Sequence, residues 1–193
     1  MMAPRTKNAD KMRTRTDILR RGSPTVAVVW PSHVLRDYDR LRTPTRASRG
    51  DILVAVPNEA LVAAVKNIVV LSKSGKEDEA YAAYASLYAS SPFASYSPAD
   101  QRQALKLMIL AKGIPTFPSA SIVEAHRAAI GPLQALVHAH GEPADYQLLG
   151  ICFTRTGDEA QARASFQAGL DIERARDPQS PLCGSLMKYV ASV

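Results

Sequence analysis

The chain has 193 residues, of which 46% are hydrophobic, 22% charged and 6% aromatic. This length suits one domain with a tail or two very small domains, and it is enough to bury a core. The sequence argues against a membrane-spanning protein, because no apolar run reaches the ~20 residues of a membrane-spanning helix. It also argues against a disulfide-stabilised protein, because Cys152 and Cys183 lack the spacing of a disulfide framework. We therefore expect a soluble intracellular protein, in the cytoplasm or, as the alternative, in an organelle such as the mitochondrial matrix.

The excess positive charge lies in the first quarter of the chain. Residues 1–50 hold 12 of the 24 Lys and Arg but 4 of the 18 Asp and Glu, a net charge of +8, whereas residues 51–193 carry −2. We predict a basic arm over residues 1–57, largely extended or disordered, without the apolar period of a folded element. Its short apolar segments at 25–30 and 51–56 are either strands or extended pieces that dock on the helices.

The arginines of the basic arm are candidate contacts for the phosphates of RNA or DNA, which would make binding strongly salt-dependent. These candidates are Arg13, Arg15, Arg20, Arg21, Arg36, Arg40 and Arg42. Aromatic residues are few in the arm, so contacts to the nucleic-acid backbone are expected rather than base stacking. A targeting peptide or a tail that wraps a protein partner are the alternatives for this segment.

After Pro57 the apolar residues follow a helical period, and turn residues separate seven predicted helices. The predicted helices span about 58–74, 76–90, 98–112, 121–140, 143–156, 158–174 and 182–192. Ser121 and Glu124 match a capping box, which predicts a helix start at Ser121. Pro132 is expected to kink or break that helix. Short links between successive helices favour antiparallel neighbours, so we predict an all-α domain over 58–193 that ends in a capping helix.

The fifth and sixth predicted helices contain the strongest motif. Tyr146, Leu149, Gly150 and Phe153 lie at i, i+3, i+4 and i+7, on one helical face. Gly150 and Ala162 are small, which lets the two helices cross closely, and Phe166 is expected to fill the space beside that crossing. Gly157 supplies the left-handed residue of the turn.

These residues and spacings resemble the signature of the tetratricopeptide repeat, a helical hairpin that stacks into a solenoid. The first hairpin matches the signature more weakly. Gly75 is at the turn position, Ala80 at the small position, Tyr84 at the aromatic position and Pro92 at the closing proline. The expected packing residues are Ala80, Tyr84, Tyr146, Leu149, Gly150, Phe153, Gly157, Ala162 and Phe166. Two positions depart from the pattern: Gly169 stands where the family prefers Ala, and Pro178 lies later than the usual closing proline. The turn glycines are also spaced more widely than in a strict repeat.

The resemblance implies a concave groove that binds peptides, lined by the first helix of each repeat. The matching positions here are Val65, Val69, Ser72, Lys73, Gln147, Ile151, Thr154 and Arg155. The subclass that grips a C-terminal carboxylate needs Lys and Asn at these positions, and this set contains no Asn, so that activity is not expected. The function implied is a protein-interaction scaffold or a structural subunit of a larger complex, with nucleic-acid or ribosome association through the basic arm as the alternative.

Candidate catalytic and metal-binding residues have simpler explanations. His138 and His140 lie two apart on a helix and therefore do not share a face, and we expect them at a solvated helix end. The acidic run Glu77 to Glu79 complements the helix dipole in a first turn. Tyr81, Tyr84 and Tyr88 form a stripe that we expect to pack between repeats. No catalytic or cofactor motif occurs, so we expect no enzyme activity, no cofactor, no metal and no small-molecule substrate.

Overall fold

A computed structural model describes residues 58–111 and 118–193, and in these residues the chain is all-α, without a strand. Seven α-helices follow one another, with a short 3-10 helix, Ser91–Ser95, after the second. The α-helices are α1 (Glu59–Lys73), α2 (Glu77–Ala89), α3 (Pro98–Ile109), α4 (Ala120–His140), α5 (Pro143–Thr156), α6 (Glu159–Arg176) and α7 (Pro181–Ser192). The predictions for the basic arm, its two apolar segments and its arginines lie outside the described residues.

Local capping sets most of the helix ends at the predicted positions. The side-chain oxygen of Asn58 accepts hydrogen bonds from the backbone N–H groups of Ala60 and Leu61 at 3.0 and 3.3 Å. Ser97 Oγ caps α3 in the same way, and a proline follows it at the first helical position. At the C-terminal end of α5, Gly157 has φ of 84°, a left-handed conformation that glycine adopts without strain. These ends confirm the corresponding predictions.

Three predicted features in the middle of the chain differ from the structure. Helix α4 begins at Ala120 with Ser119 at its N-cap, and the Ser121 hydroxyl donates to Asp78 of α2 instead of closing a capping box. Pro132 does not break α4, which continues for 21 residues through it. The helix lacks one backbone hydrogen bond at Pro132, and it packs closely against both α2 and α5. Helix α3 ends at Ile109, about one turn before the predicted end.

Packed helix pairs form one continuous hydrophobic core. Successive helices pack in the pairs α1–α2, α4–α5, α5–α6 and α6–α7. The second and fourth helices also pack closely, although they are not neighbours in the chain. They start at the same end, where Asp78 accepts hydrogen bonds from Ser119 at 2.6 Å and from Ser121. The all-α class is confirmed, whereas the solenoid arrangement remains a proposal.

The crossing of α5 and α6 has the predicted geometry. A Cβ atom built on Gly150 would lie 2.4 Å from Cε1 of Phe166, far inside contact distance. Leu149, Phe153 and Ala162 are buried, and Tyr146 is half-buried. Gly169 has a similar constraint: its Cβ would lie 2.9 Å from Cβ of Tyr146. The alanine that the repeat pattern prefers would therefore not fit at Gly169.

Substitution of Gly150 by Ala tests this crossing. The added methyl group must displace the Phe166 ring, so the free energy of unfolding should fall by about 1–3 kcal/mol despite the better helix propensity of Ala. Urea unfolding followed by circular dichroism measures the change. Gly184→Ala in α7 is the matched control, because a Cβ there meets nothing within 4 Å, and it should stabilise the protein by up to about 1 kcal/mol. Equal effects of the two substitutions would contradict the close approach.

Candidate functional site

Three of the four groove positions expected in the fifth helix lie together in one cleft. Ile151, Thr154 and Arg155 line a cavity of about 400 Å³ between the C-terminal ends of α3, α5 and α7, which we call the α3–α5–α7 cleft. Its other lining residues are Ile109, Leu110, Ala111, Tyr189, Ser192 and Val193. The walls are mainly apolar, and the Leu110 side chain remains 46% exposed there.

The remaining groove positions lie elsewhere. Gln147 is half-buried, and its Nε2 donates a hydrogen bond to Ser185 Oγ of α7 at 2.8 Å. Val65, Val69 and Ser72 are buried in the packing of α1, and Lys73 is exposed at the end of that helix. The α3–α5–α7 cleft is lined by none of the α1 residues. The structure thus brings together the candidates near the end of α5 but does not join them to the α1 set.

The base of the cleft is tied to the core through one aromatic stack. The Tyr189 ring lines the cleft and stacks on Phe166 with 4.7 Å between ring centroids and 11° between ring planes. Phe166 is the ring that fills the crossing beside Gly150. One wall of the cleft is therefore positioned by the same packing that joins α5 to α6.

Arg155 is one of two half-buried arginines in the described part of the chain. Its side chain is half-buried, and it makes no ion pair or hydrogen bond with the described residues. The other half-buried arginine, Arg102 of α3, is paired. Its Nε donates to Oδ1 and Oδ2 of the fully buried Asp145 at 3.0 and 2.9 Å, and its Nη2 lies 2.9 Å from Oδ2. The sequence gives no signal for this long-range pair, because Asp145 resembles an ordinary first-turn acid.

Two buried polar side chains lie within the electrostatic range of Arg155. Burial raises the pKa of Tyr81 to about 12, helped by the charge of Glu77 and opposed by Arg155. Burial lowers the pKa of His126 to about 4, opposed by the hydrogen bond to the Ile122 carbonyl and helped by the charge of Arg155. Nδ1 of His126 lies 2.8 Å from the Ile122 carbonyl oxygen, so it carries the proton of the neutral ring. Within the described residues, His126 Nε2 and the Tyr81 hydroxyl have no hydrogen-bond partner.

The other candidate groups have structural roles. His138 and His140 are exposed in the last turn of α4, as expected for a solvated helix end. The acidic run lies in the first turn of α2, and hydrogen bonds from Ser119 and Ser121 lower the pKa of Asp78. The tyrosine stripe is buried, which confirms its packing role. Across residues 58–111 and 118–193, no cluster of three or more His, Cys, Asp or Glu forms a metal site, and no helix is long and apolar enough to cross a membrane.

A second cleft, which the sequence does not predict, lies at the opposite end of α3. It has a volume of about 450 Å³ and is bordered by the end of α2, the 3-10 helix, the start of α3 and the part of α4 around Pro132. Gln101 Nε2 donates to the carbonyl oxygens of Ala94 and Tyr96 at 3.3 and 2.8 Å, which fixes the 3-10 helix against α3. The Gln101 amide thus makes its hydrogen bonds within the protein. Alanines and the aromatic residues Tyr88 and Phe93 form much of the wall.

Comparisons of the chain with protein-family models, with curated proteins and with solved structures find no significant match.

The buried ion pair is tested by Asp145→Asn. The substitution leaves the Arg102 charge half-buried without a counter-charge, so the free energy of unfolding should fall by about 3 kcal/mol. Glu142→Gln is the control, because Glu142 pairs with Arg176 at 2.8 Å at the exposed surface and should contribute less than about 1 kcal/mol. Chemical denaturation of both variants measures the difference. Comparable losses would show that Asp145 is not held as described.

The buried His126 predicts a specific pH dependence. Because its folded-state pKa of about 4 lies below the unfolded value of ~6.5, the unfolded chain binds the proton more readily. Its contribution to stability is present above pH ~6.5 and is lost as the pH falls towards 4, by about 2–3 kcal/mol at pH 4.5. His126→Asn keeps a donor for the Ile122 carbonyl but does not titrate. Urea unfolding at pH 7.5 and 4.5 should show a larger loss in the parent, and equal losses would contradict the assignment.

Proposed function

We propose that residues 58–193 form a non-enzymatic protein-interaction module, which acts as an adaptor or as a structural subunit of a larger complex. The α3–α5–α7 cleft binds a segment of the protein partner. The observation that carries the proposal is that Ile151, Thr154 and Arg155, which the repeat resemblance assigns to a peptide groove, line one cleft with apolar walls.

The chemistry of the cleft suits binding better than catalysis. Thr154 Oγ1 donates to the Gly150 carbonyl oxygen at 3.0 Å, and Ser192 Oγ donates to that of Tyr189 at 2.9 Å. Both hydroxyl hydrogens are therefore committed to the backbone. The remaining groups offer apolar surface, the Tyr189 hydroxyl and the Arg155 cation, a combination that suits the orientation of a bound ligand.

A tetratricopeptide-like array is the fold that we propose behind this cleft. Two observations support it: the α1–α2 and α5–α6 pairs turn at glycines with positive φ, Gly75 and Gly157, and Gly150 meets Phe166 at the crossing. The close α2–α4 packing differs from a plain series of hairpins, in which each helix packs mainly on its chain neighbours. The array therefore carries an irregular middle pair.

A second function rests on the basic arm. Its net charge of +8 over residues 1–50 favours contact with nucleic-acid phosphates, in which case the helical body would serve as a platform. The two functions differ in which part of the chain holds the partner and in the salt dependence of binding.

The substitution Leu110→Glu distinguishes the two proposed functions when partners are captured from native lysate. The substitution places a charge on the apolar wall of the cleft, so partners that bind there should be lost. Val70→Glu on α1 is the control, because Val70 is 63% exposed and lies outside the cleft, and it should retain them. Mass spectrometry identifies the captured proteins.

Two further captures use a chain that lacks residues 1–50 and a lysate treated with nuclease over a salt series. Under the proposal, the partners lost with Leu110→Glu survive both treatments. If the partners instead disappear with the arm or with nuclease and are indifferent to Leu110→Glu, the arm is the binding device and the proposed function is wrong.

A further inference from the structure

We infer that the partner segment bound in the α3–α5–α7 cleft carries an acidic side chain between apolar residues, and that its carboxylate pairs with Arg155. This inference rests on the proposed function and names the chemistry of the ligand.

The first argument is the contrast between two guanidinium groups. Among the arginines of the described residues, Arg102 and Arg155 are half-buried and the others are exposed. The fold gives Arg102 a fully buried carboxylate, Asp145, with hydrogen bonds from Nε to both oxygens. Arg155 has no such partner within residues 58–111 and 118–193. A partly desolvated cation without a counter-charge is unfavourable, so a ligand that supplies a carboxylate gains more at Arg155 than at an exposed arginine.

The second argument is that Arg155 is the cationic donor of the cleft. The hydroxyl groups of Thr154 and Ser192 donate to backbone carbonyls. The guanidinium presents two parallel N–H groups that match both oxygens of one carboxylate. Arg155 is also the one charged side chain among the residues that line this cleft. A single cation suits one carboxylate, whereas a nucleic acid requires several cations along its backbone.

The third argument is the apolar surface on either side of the cation. Ile109 and Ile151 are buried walls, and Leu110 is exposed at 46% beside them. A cavity of about 400 Å³ is in the range of ordinary ligand sites. An acidic residue flanked by aliphatic or aromatic residues satisfies both the cation and the walls. A highly acidic segment satisfies only the cation.

Selection of displayed peptides tests the inference with the full chain. A random peptide library is displayed without free C-termini, so each carboxylate comes from a side chain. It is selected on the parent protein, on Arg155→Gln and on Arg163→Gln. Arg163 lies exposed on α6 outside the cleft, which makes it the matched control. We expect the parent and Arg163→Gln to enrich peptides with Asp or Glu next to apolar residues, and Arg155→Gln to lose that enrichment.

A double-substitution cycle then quantifies the pairing. The enriched peptide is synthesised with its acid and with the corresponding amide, and both are titrated against the parent and Arg155→Gln by calorimetry. The parent should bind the acidic peptide about tenfold more tightly than the amide, and Arg155→Gln should bind the two equally. An unchanged preference for the acid in Arg155→Gln overturns the inference. Circular dichroism confirms that each variant is folded.

Leu110→Glu separates the inference from the proposed function. If the selected peptides lose binding to Leu110→Glu but show no preference for an acid, the cleft binds peptides and the inference about Arg155 is wrong. If no selected peptide depends on Leu110, the cleft is not a binding site, and both the proposed function and the inference fail.

Discussion

The close packing of α2 against α4 joins the first helical hairpin to the later helices. Both helices bury alanines, among them Ala80, Ala125 and Ala129, and small side chains let two helix backbones approach. Asp78 fixes the relative position of the two helices through its hydrogen bonds from Ser119 and Ser121. Helix α3 lies between α2 and α4 in the chain but packs less closely on either of them. Its buried face carries larger side chains, including Leu105 and Met108. Both clefts lie at the ends of α3, where the tight packing of its neighbours stops.

The interior accommodates ionisable groups in two ways, either as an ion pair or in the neutral form. Asp145 and Arg102 neutralise each other and join α3 to α5, so their charges serve the fold. Burial favours the neutral form of His126. Its Nε2 and the Tyr81 hydroxyl have no hydrogen-bond partner among the described residues, and the charge of Arg155 acts on both groups. Within the part of the chain that the structure describes, the second arrangement thus leaves two buried polar atoms without a hydrogen bond. Unsatisfied polar atoms of this kind are uncommon in folded interiors.

The sequence predicts those features that depend on a few neighbouring residues. Asn58, Ser97 and Gly157 determine helix ends through contacts within one turn, and the spacing from Gly150 to Phe166 fixes a crossing between two successive helices. The capping box at Ser121 fails because the hydroxyl finds a stronger acceptor, Asp78, in a helix 43 residues earlier. Three other features also arise from contacts between residues far apart in the sequence: the Arg102–Asp145 pair, the α2–α4 packing and the second cleft. Each depends on contacts between distant segments, and local propensity carries no information about them.

The Phe166 ring links the packing of the interior to the shape of the α3–α5–α7 cleft. One edge occupies the space that the missing side chain of Gly150 leaves, and its face supports Tyr189 on the wall of the α3–α5–α7 cleft. Any change that shifts this ring therefore alters the shape of the cleft as well as the interior. A substitution at Gly150 would therefore change the interior packing and the wall of the cleft together.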